Sequence, residues 1–223
     1  KKGTEFNIKM DYDGLIDAYY KLPLTWMDTD FTRRSGKNVE VNALWYNCLK
    51  IMEFFAEKFN ENSIDYAVLS RKVKKSFVKK FWANSYLADT INNNKKDISV
   101  RPNQIFAISL PFNILDREKE LLILKKVTDE LFTPFGLRSL SKKDNSYIGK
   151  YTGSQLERDK SYHNGSVWPW LLGPYLSAYL RLHNYSSLAK VEVKEKILEY
   201  INQSMKDAGI GTVSEIYDGD YPH

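Results

Sequence analysis

The sequence predicts an all-α protein, built either as an α/α toroid or as a helical bundle. Apolar residues recur at helical spacing in successive segments, enough for roughly six or seven helices. Loops rich in acidic and aromatic residues lie between these segments. The sequence shows neither strand–helix–strand alternation nor a glycine-rich phosphate loop, which argues against nucleotide chemistry.

The first forty residues are predicted to hold little regular structure. An edge strand is expected around residues 6–8, and apolar spacing predicts a short helix over residues 13–21. A Leu-Pro pair at residues 22–23 would end that helix, because proline disfavours helical backbone in the residue before it. Residues 24–37 are then expected to form a loop with an apolar start and a charged end.

Two long amphipathic helices follow. An apolar face predicts the first from about residue 41 to residue 59. Ser63 is a suitable N-cap for the second, over residues 63–82. Lysines flank the apolar stripe of this second helix. We interpret them as its solvated face rather than as a nucleic-acid or membrane surface.

The middle of the chain alternates short polar and apolar segments. Residues 91–98 are rich in Asn and Lys and are predicted to form an exposed turn, and residues 105–110 form a short apolar segment. A helix is predicted from Asp116 to Leu131. Residues 137–161 lack periodicity, which predicts a long loop of the kind that lines or covers a site.

Two further helices are predicted over residues 168–183 and 187–206, followed by a polar loop at residues 213–220. The chain has 223 residues and 43% hydrophobic composition, which suffices for one core or for part of a larger one. No internal repeat, low-complexity linker or domain boundary is evident in the sequence.

Charge and cysteine content exclude several classes of protein. The net charge is +5, charges of both signs are spread along the chain, and no nucleic-acid module accompanies them. No apolar run approaches the ~18 residues that a membrane helix needs. Cys48 is the only cysteine, so an internal disulfide and a metal–thiolate cluster are excluded. We therefore expect no nucleic-acid or membrane partner, and a reducing, cytoplasmic location.

The most informative stretch is Tyr-His-Asn-Gly-Ser-Val-Trp-Pro-Trp at residues 162–170. Aromatic faces stack on the C–H face of a sugar ring, while amide and imidazole groups bond to its hydroxyls, so the stretch suits a carbohydrate subsite. It is also compatible with a loop-to-helix junction. In that reading Trp168 and Trp170 anchor the core, and the Asn-Gly pair is an ordinary turn.

Carboxylates occur among aromatic residues in two loops. Asp28 and Asp30 follow Trp26, and Glu215 opens a loop that also contains Asp218. Cleaving a glycosidic bond requires two carboxyl groups, one to protonate the leaving oxygen and one to activate water or attack directly. An indole beside Asp28 would exclude water and favour the protonated acid. Each acid could instead be a helix cap, a turn residue or a surface residue.

Metal and serine-nucleophile sites are not indicated. His163, His183 and His223 have no ligand spacing, and the acidic loop at residues 215–220 lacks an EF-hand register. No nucleophile elbow or recognisable Ser–His pairing is present. We therefore expect no metal and no organic cofactor.

Taken together, five blocks of sequence resemble the amylo-α-1,6-glucosidase domain of glycogen debranching enzymes, in the order in which that family carries them. The blocks are Leu-Thr-Trp-Met-Asp at residues 24–28, residues 36–47, Arg-Pro-Asn-Gln at residues 101–104, residues 162–170, and Glu-Ile-Tyr-Asp-Gly-Asp at residues 215–220.

The resemblance implies an (α/α)6 toroid like that of glucoamylases, and an inverting hydrolase that removes the α-1,6-linked glucose at a branch point of glycogen or a related α-glucan. It also implies that Asp28 is the general acid and Glu215 the general base. The positions implied to face the sugar are Trp26, Asn42, Trp45, Arg101, Asn103, His163, Asn164, Trp168, Trp170 and Asp218.

The chain departs from the family in two ways. Family members continue beyond the position of His223 into a Gly-Cys segment and a further helix. A toroid of this type has twelve helices, so opening helices before Lys1 are expected to be missing. Residues 1–223 are thus expected to be part of a single glycosidase catalytic domain, with a glucanotransferase domain as a candidate neighbour in the same polypeptide.

Two other functions remain open at this point. One is a non-catalytic α-glucan-binding module that keeps the aromatic groove. The other is a different inverting helical-barrel glycosidase, for example one that acts on α-1,4 links, because the shape of the subsites rather than the acid pair determines linkage.

Overall fold

Helices form most of the regular structure in the computed structural model, which describes residues 4, 7–18, 24–206, 209 and 211–223. The α-helices within these ranges are α1 (Val39–Lys58), α2 (Ile64–Phe81), α3 (Phe106–Ser109), α4 (Arg117–Leu131), α5 (Gln155–Tyr162), α6 (Leu172–Leu182) and α7 (Ser187–Ser204). Three-residue or four-residue 3₁₀ turns lie at Asp30–Thr32, Pro102–Ile105 and Pro169–Leu171.

Short strands connect the helices, so the fold is mainly helical and the prediction that it is all-α is not confirmed. The strands are β1 (Ile8–Met10), β2 (Ile16–Ala18), β3 (Lys37–Asn38), β4 (Trp82–Ala83), β5 (Tyr86–Leu87), β6 (Thr90–Asn92), β7 (Lys95–Asp97), β8 (Phe132–Thr133), β9 (Gly136–Arg138) and β10 (Val167–Trp168). They pair antiparallel as β1-β2, β4-β5, β3-β6-β7 and β10-β9-β8. Each has two or three residues, too few for a hydrophobic alternation to be visible in the sequence.

Six of the seven described α-helices, all except α5, pack as consecutive pairs in two rows. α3 packs against both α1 and α6, which places these three helices in one row. α2 packs against α1, α4 against α3 and α6, and α7 against α6, so each helix of the second row follows its partner along the chain. The described ranges therefore contain three such pairs.

The apolar faces that predicted the helices form the core. Phe77 of α2, Val127 of α4 and Leu131 of α4 are fully buried in one cluster with Tyr175 of α6. α1, α2, α4 and α7 start within two residues of their predicted positions, and Asp116 caps α4 by accepting a hydrogen bond from the Lys119 amide at 2.9 Å. None of the described helices is long and apolar enough to span a bilayer.

Three local predictions are corrected by the structure. Within the helix predicted over residues 13–21, Ile16–Ala18 is strand β2 paired with β1, and residues 19–21 lie outside the described ranges. Residues 91–98 form most of the β6–β7 hairpin, with Ile91 buried. The predicted loop at residues 137–161 contains most of α5, which begins at a capping box between Ser154 and Glu157.

Candidate active site

One cavity of about 620 Å³ joins parts of the chain that are distant in sequence. Trp26 and Asp28 line it from the loop before the first 3₁₀ turn, and Tyr200 lines it from α7. The stretch at residues 162–170 and the loop at residues 213–215 form the remaining lining. Two of the blocks that suggested carbohydrate chemistry thus meet the loop of Asp28 at a single cavity.

A pair of backbone hydrogen bonds and two closely packed glycines hold the loop of Glu215 against the stretch at residues 162–170. Val167 of β10 and Tyr217 exchange backbone hydrogen bonds of 2.8 and 3.0 Å. A Cβ at Gly219 would lie 2.3 Å from the carbonyl oxygen of Gly165, so these two loops pack with glycine against glycine. This close packing accounts for the glycine in each of the two pairs, Asn-Gly at residues 164–165 and Asp-Gly at residues 218–219, which resemble ordinary turns in the sequence.

Both predicted catalytic carboxylates border the cavity. The side chains of Asp28 and Glu215 are exposed, and each belongs to the cavity lining. The Tyr162 hydroxyl donates a hydrogen bond of 2.9 Å to Glu215 Oε2. An exposed carboxylate on each of two loops, with room between the loops, is an arrangement in which one acid can protonate an oxygen while the other activates water.

Three indoles form the aromatic wall of the cavity. The ring of Trp26 contacts Trp168 and Trp170 edge-on, with centroids 5.2 and 5.1 Å apart. Trp170 is 45% exposed and its ring contacts Phe106, whereas Trp168 is buried. The Trp26 Nε1 donates to Asn103 Oδ1 at 2.7 Å, which fixes the orientation of the central indole.

Arg101, Asn103 and Asn164 lie behind this wall rather than in it. Arg101 donates to the carbonyl oxygens of Ser139 and His163 and to Asn164 Oδ1, at 3.1, 2.6 and 2.9 Å. Asn103 is fully buried and donates to Asp89 Oδ1 at 2.7 Å. These hydrogen bonds fix the backbone around the cavity and, through Asn103, the ring of Trp26.

His163 is also behind the wall. Its ring is buried and stacks on Trp168 at a centroid distance of 5.2 Å, and Nδ1 lies 3.4 Å from Thr32 Oγ1. Burial, assisted by the positive charges of Arg101 and Arg34, lowers the pKa of His163 to about 3. The imidazole is therefore neutral over the physiological pH range.

Three further residues that were predicted to face the sugar are not part of the cavity lining. Asn42 is fully buried and exchanges two hydrogen bonds with the backbone of Ile16. Trp45 is half-buried and donates to the Gly14 carbonyl at 3.1 Å. Asp218 accepts from the Tyr151 amide at 2.8 Å and pairs with Lys150 at 3.1 Å.

Two aromatic residues of the cavity, Tyr162 and Tyr200, were not predicted from the sequence to face the sugar. Tyr162 stands at the last position of α5, inside the block at residues 162–170, and its proximity to Glu215 could not be read from spacing. Tyr200 belongs to α7, whose sequence reads as an ordinary amphipathic helix. Within the part of the chain that the structure describes, no group of three His, Cys, Asp or Glu side chains could hold a metal ion.

Two solved structures share this fold. Neutral trehalase from Saccharomyces cerevisiae is similar over 86% of this chain and 36% of its own, with a TM-score of 0.65 and 14% identity. Mannosylglycerate hydrolase from Thermus thermophilus is similar over 82% of this chain and 40% of its own, with a TM-score of 0.59 and 10% identity. The chain therefore has a helical fold of the trehalase type.

The chain belongs to the amylo-alpha-1,6-glucosidase family, whose model matches residues 1–223. Glycogen debranching enzyme from Saccharomyces cerevisiae is 22% identical over an alignment that covers 92% of this chain. The chain spans 17% of the length of that relative. Amylo-alpha-1,6-glucosidases, for which the family is named, are glycoside hydrolases.

Proposed function

We propose that this chain is part of a glycosidase domain that releases glucose from α-1,6 branch points of glycogen or a related α-glucan, by an inverting acid/base mechanism. The observation that carries the proposal is that Asp28 and Glu215 border one cavity with an aromatic wall. Family membership and the debranching relative favour the α-1,6 link over the α-1,4 link.

In this mechanism each carboxyl group has one task. Asp28, protonated, gives its proton to the glycosidic oxygen as the bond to the leaving glucan breaks. Glu215, ionised, takes a proton from a water that attacks the anomeric carbon from the opposite face. Inversion requires room for that water, so we expect the two carboxyl groups to stand roughly 6.5–9.5 Å apart when substrate is bound.

The aromatic wall would bind the sugar. Trp170 offers an exposed indole that contacts Trp26 edge-on, and Trp26 in turn contacts Trp168, so apolar C–H faces of a glucose ring can stack against a rigid surface. Arg101, Asn103, His163 and Asn164 would act indirectly, because they orient the residues that line the cavity.

The proposal extends to the complete domain and to the polypeptide that contains it. The three consecutive helix pairs would be part of an (α/α)6 toroid, within a polypeptide that carries further helices and a glucanotransferase domain. The greater length of the debranching relative supports a longer polypeptide. The expectation of a cytoplasmic location stays a prediction.

Replacement of the two carboxylates tests the function. Asp28→Asn and Glu215→Gln should each lower glucose release from branched limit dextrin by ~10²–10⁴-fold. Each variant removes a proton-transfer group and keeps the shape of the side chain. Asp30→Asn is the matched control, since Asp30 is an exposed neighbour paired with Arg33 outside the cavity lining. Near-normal hydrolysis by both variants would refute the assignment.

Two further measurements separate the alternative functions. Calorimetric heat with an α-glucan oligosaccharide, without any released glucose, would indicate a non-catalytic binding module. Release of glucose from α-1,4-linked but not α-1,6-linked oligosaccharides would indicate a different helical-barrel glycosidase.

A further inference from the structure

Among the residues that the structure describes, Glu215 has its carboxylate held at one oxygen only. Tyr162 donates to Oε2 at 2.9 Å, and within the described ranges the Glu215 side chain has no other hydrogen bond or ion pair. A glutamate side chain has three rotatable bonds, and its free rotation opposes any single catalytic geometry. The tyrosine hydroxyl is therefore the contact that fixes where this exposed carboxylate stands.

Tyr162 is itself held in place on several sides. Its ring packs against Trp168 and His163 at centroid distances of 4.8 Å, and against Tyr151 at 5.6 Å. Its carbonyl oxygen accepts a hydrogen bond of 3.0 Å from Trp168 Nε1. Because these contacts fix the ring of Tyr162, its hydroxyl can hold the Glu215 carboxylate in a fixed position relative to the aromatic wall.

The phenol remains protonated under the conditions in which a glycosidase works. Burial raises the pKa of Tyr162, and the hydrogen bond to Glu215 and the negative charges of Glu215 and Asp28 raise it further. Tyr162 therefore acts as a donor and not as an acid. Because it occupies Oε2, the other oxygen of Glu215 is left free to accept a proton from water.

We propose that Tyr162 is a positioning residue for the reaction: its hydroxyl holds Glu215 with Oε2 occupied and Oε1 turned to the attacking water. This role rests on the proposed function, since it assumes that Glu215 is the base. It also explains why a tyrosine at the end of α5 borders the same cavity as the two carboxylates.

Removal of the hydroxyl tests the role in the full-length polypeptide. Tyr162→Phe keeps the ring and its packing, and we expect kcat on branched limit dextrin to fall roughly 10- to 100-fold with KM within about threefold. Tyr151→Phe is the matched control. It removes a hydroxyl from the ring that packs on Tyr162 but not from the one that reaches Glu215, so it should keep wild-type kcat.

The split between kcat and KM separates positioning from damage to the substrate site. Loss of a positioning contact lowers kcat and leaves KM near its wild-type value, whereas a disturbed cavity wall would raise KM as well. An unchanged kcat in Tyr162→Phe would overturn the proposal.

Crystal structures of the wild type and of Tyr162→Phe give a readout that does not need activity. We expect the Glu215 carboxylate to be displaced or spread over several positions in the variant, with the aromatic rings unmoved. An unmoved carboxylate overturns the inference about Tyr162, even if Glu215→Gln abolishes glucose release and so upholds the function. If the wild type releases no glucose, the proposed function fails, and these structures alone decide whether Tyr162 positions the carboxylate.

Discussion

At the scale of single residues, the imidazole of His163 is kept neutral by its surroundings. It is fully buried between Trp26, Tyr162 and Trp168, and its Nε2 has no hydrogen-bond partner among the described residues. Protonation would place a charge in this apolar position close to Arg101. The neutral ring instead serves as a flat support for the indole of Trp168.

This burial makes the stability of the protein depend on pH. The pKa of His163 is lowered from its usual 6.5 to about 3, so between these values the unfolded chain binds a proton that the folded chain does not. The free energy of unfolding should therefore fall as the pH drops below about 6.5, by about 1–2 kcal/mol between about pH 7 and about pH 5.

His163→Gln should weaken this pH dependence, as measured by urea unfolding at a series of pH values. The variant is expected to be less stable at neutral pH as well. The readout is therefore the slope of the free energy of unfolding against pH, not the stability at one pH. His183→Gln is the control, because His183 is exposed. An identical slope in His163→Gln and in the wild type would show that this ring does not contribute to the acid sensitivity.

The residue types of the site could be predicted from the sequence, but not the task of each residue. Trp26, Asp28, Trp168, Trp170 and Glu215 all border the cavity. Asn42 and Trp45, from a block of the same resemblance, hold the backbone elsewhere. A block of sequence reveals which residues are required together. Whether a polar side chain turns toward a ligand or toward its own backbone depends on tertiary geometry.

At the scale of elements, Asn42 joins α1 to the hairpin formed by β1 and β2. Its amide oxygen accepts from the Ile16 N–H at 2.7 Å, and its amide nitrogen donates to the carbonyl oxygens of Ile16 and Asn38 at 3.0 and 2.9 Å. One buried side chain thus satisfies backbone groups of a strand and of the residue that precedes α1.

Asn42→Ala should destabilise the protein by about 2–3 kcal/mol, because it leaves buried backbone groups without partners. Glucose release should keep its KM within about twofold, since Asn42 is outside the cavity. Asn62→Ala is the control: it removes an exposed asparagine whose side chain, within the described part of the chain, bonds only the Ile64 amide, at a cost of under about 1 kcal/mol. A large rise in KM with unchanged urea stability would show instead that Asn42 contacts the sugar.

Long elements were predictable from sequence, whereas short ones were not. α2 and α4 present apolar stripes over many turns, and their bounds agree closely with the prediction. β2 is defined by its pairing with β1, and its three residues carry no pattern that distinguishes a strand from one turn of helix. The same limit explains the missed β6–β7 hairpin.

At the scale of the whole molecule, a buried charge network links distant segments to the cavity wall. Arg34 donates to Asp89 Oδ2 at 2.6 Å and to Glu40 Oε2 at 2.7 Å, and all three side chains are buried. Asp89 also accepts from Asn103, whose amide oxygen holds Trp26. The start of α1, the turn before β6 and the central indole are thereby connected.

Arg34→Met should destabilise the protein by about 3–5 kcal/mol, because it leaves two buried carboxylates without their cation. The adjacent Arg33→Met is the control: Arg33 pairs with Asp30 in solvent, and its loss should cost about 0–1 kcal/mol. Urea unfolding of both variants measures the difference. Equal stability of the two variants would show that the network contributes nothing.

The helical class of the fold was predictable because amphipathic periodicity is a local property. The row of α1, α3 and α6 was not, since α3 has four residues and reads in the sequence only as a short apolar segment. Its place between two longer helices follows from packing, which the sequence pattern does not encode.

The cavity takes its two carboxylates from nearly opposite ends of the sequence. During synthesis on the ribosome, α1 to α4 emerge before the segment that carries Glu215 has been translated. A nascent chain at that stage would lack the carboxylate that we propose as the base. Under the proposed mechanism, this part of the polypeptide becomes competent for hydrolysis only once that loop has joined the others.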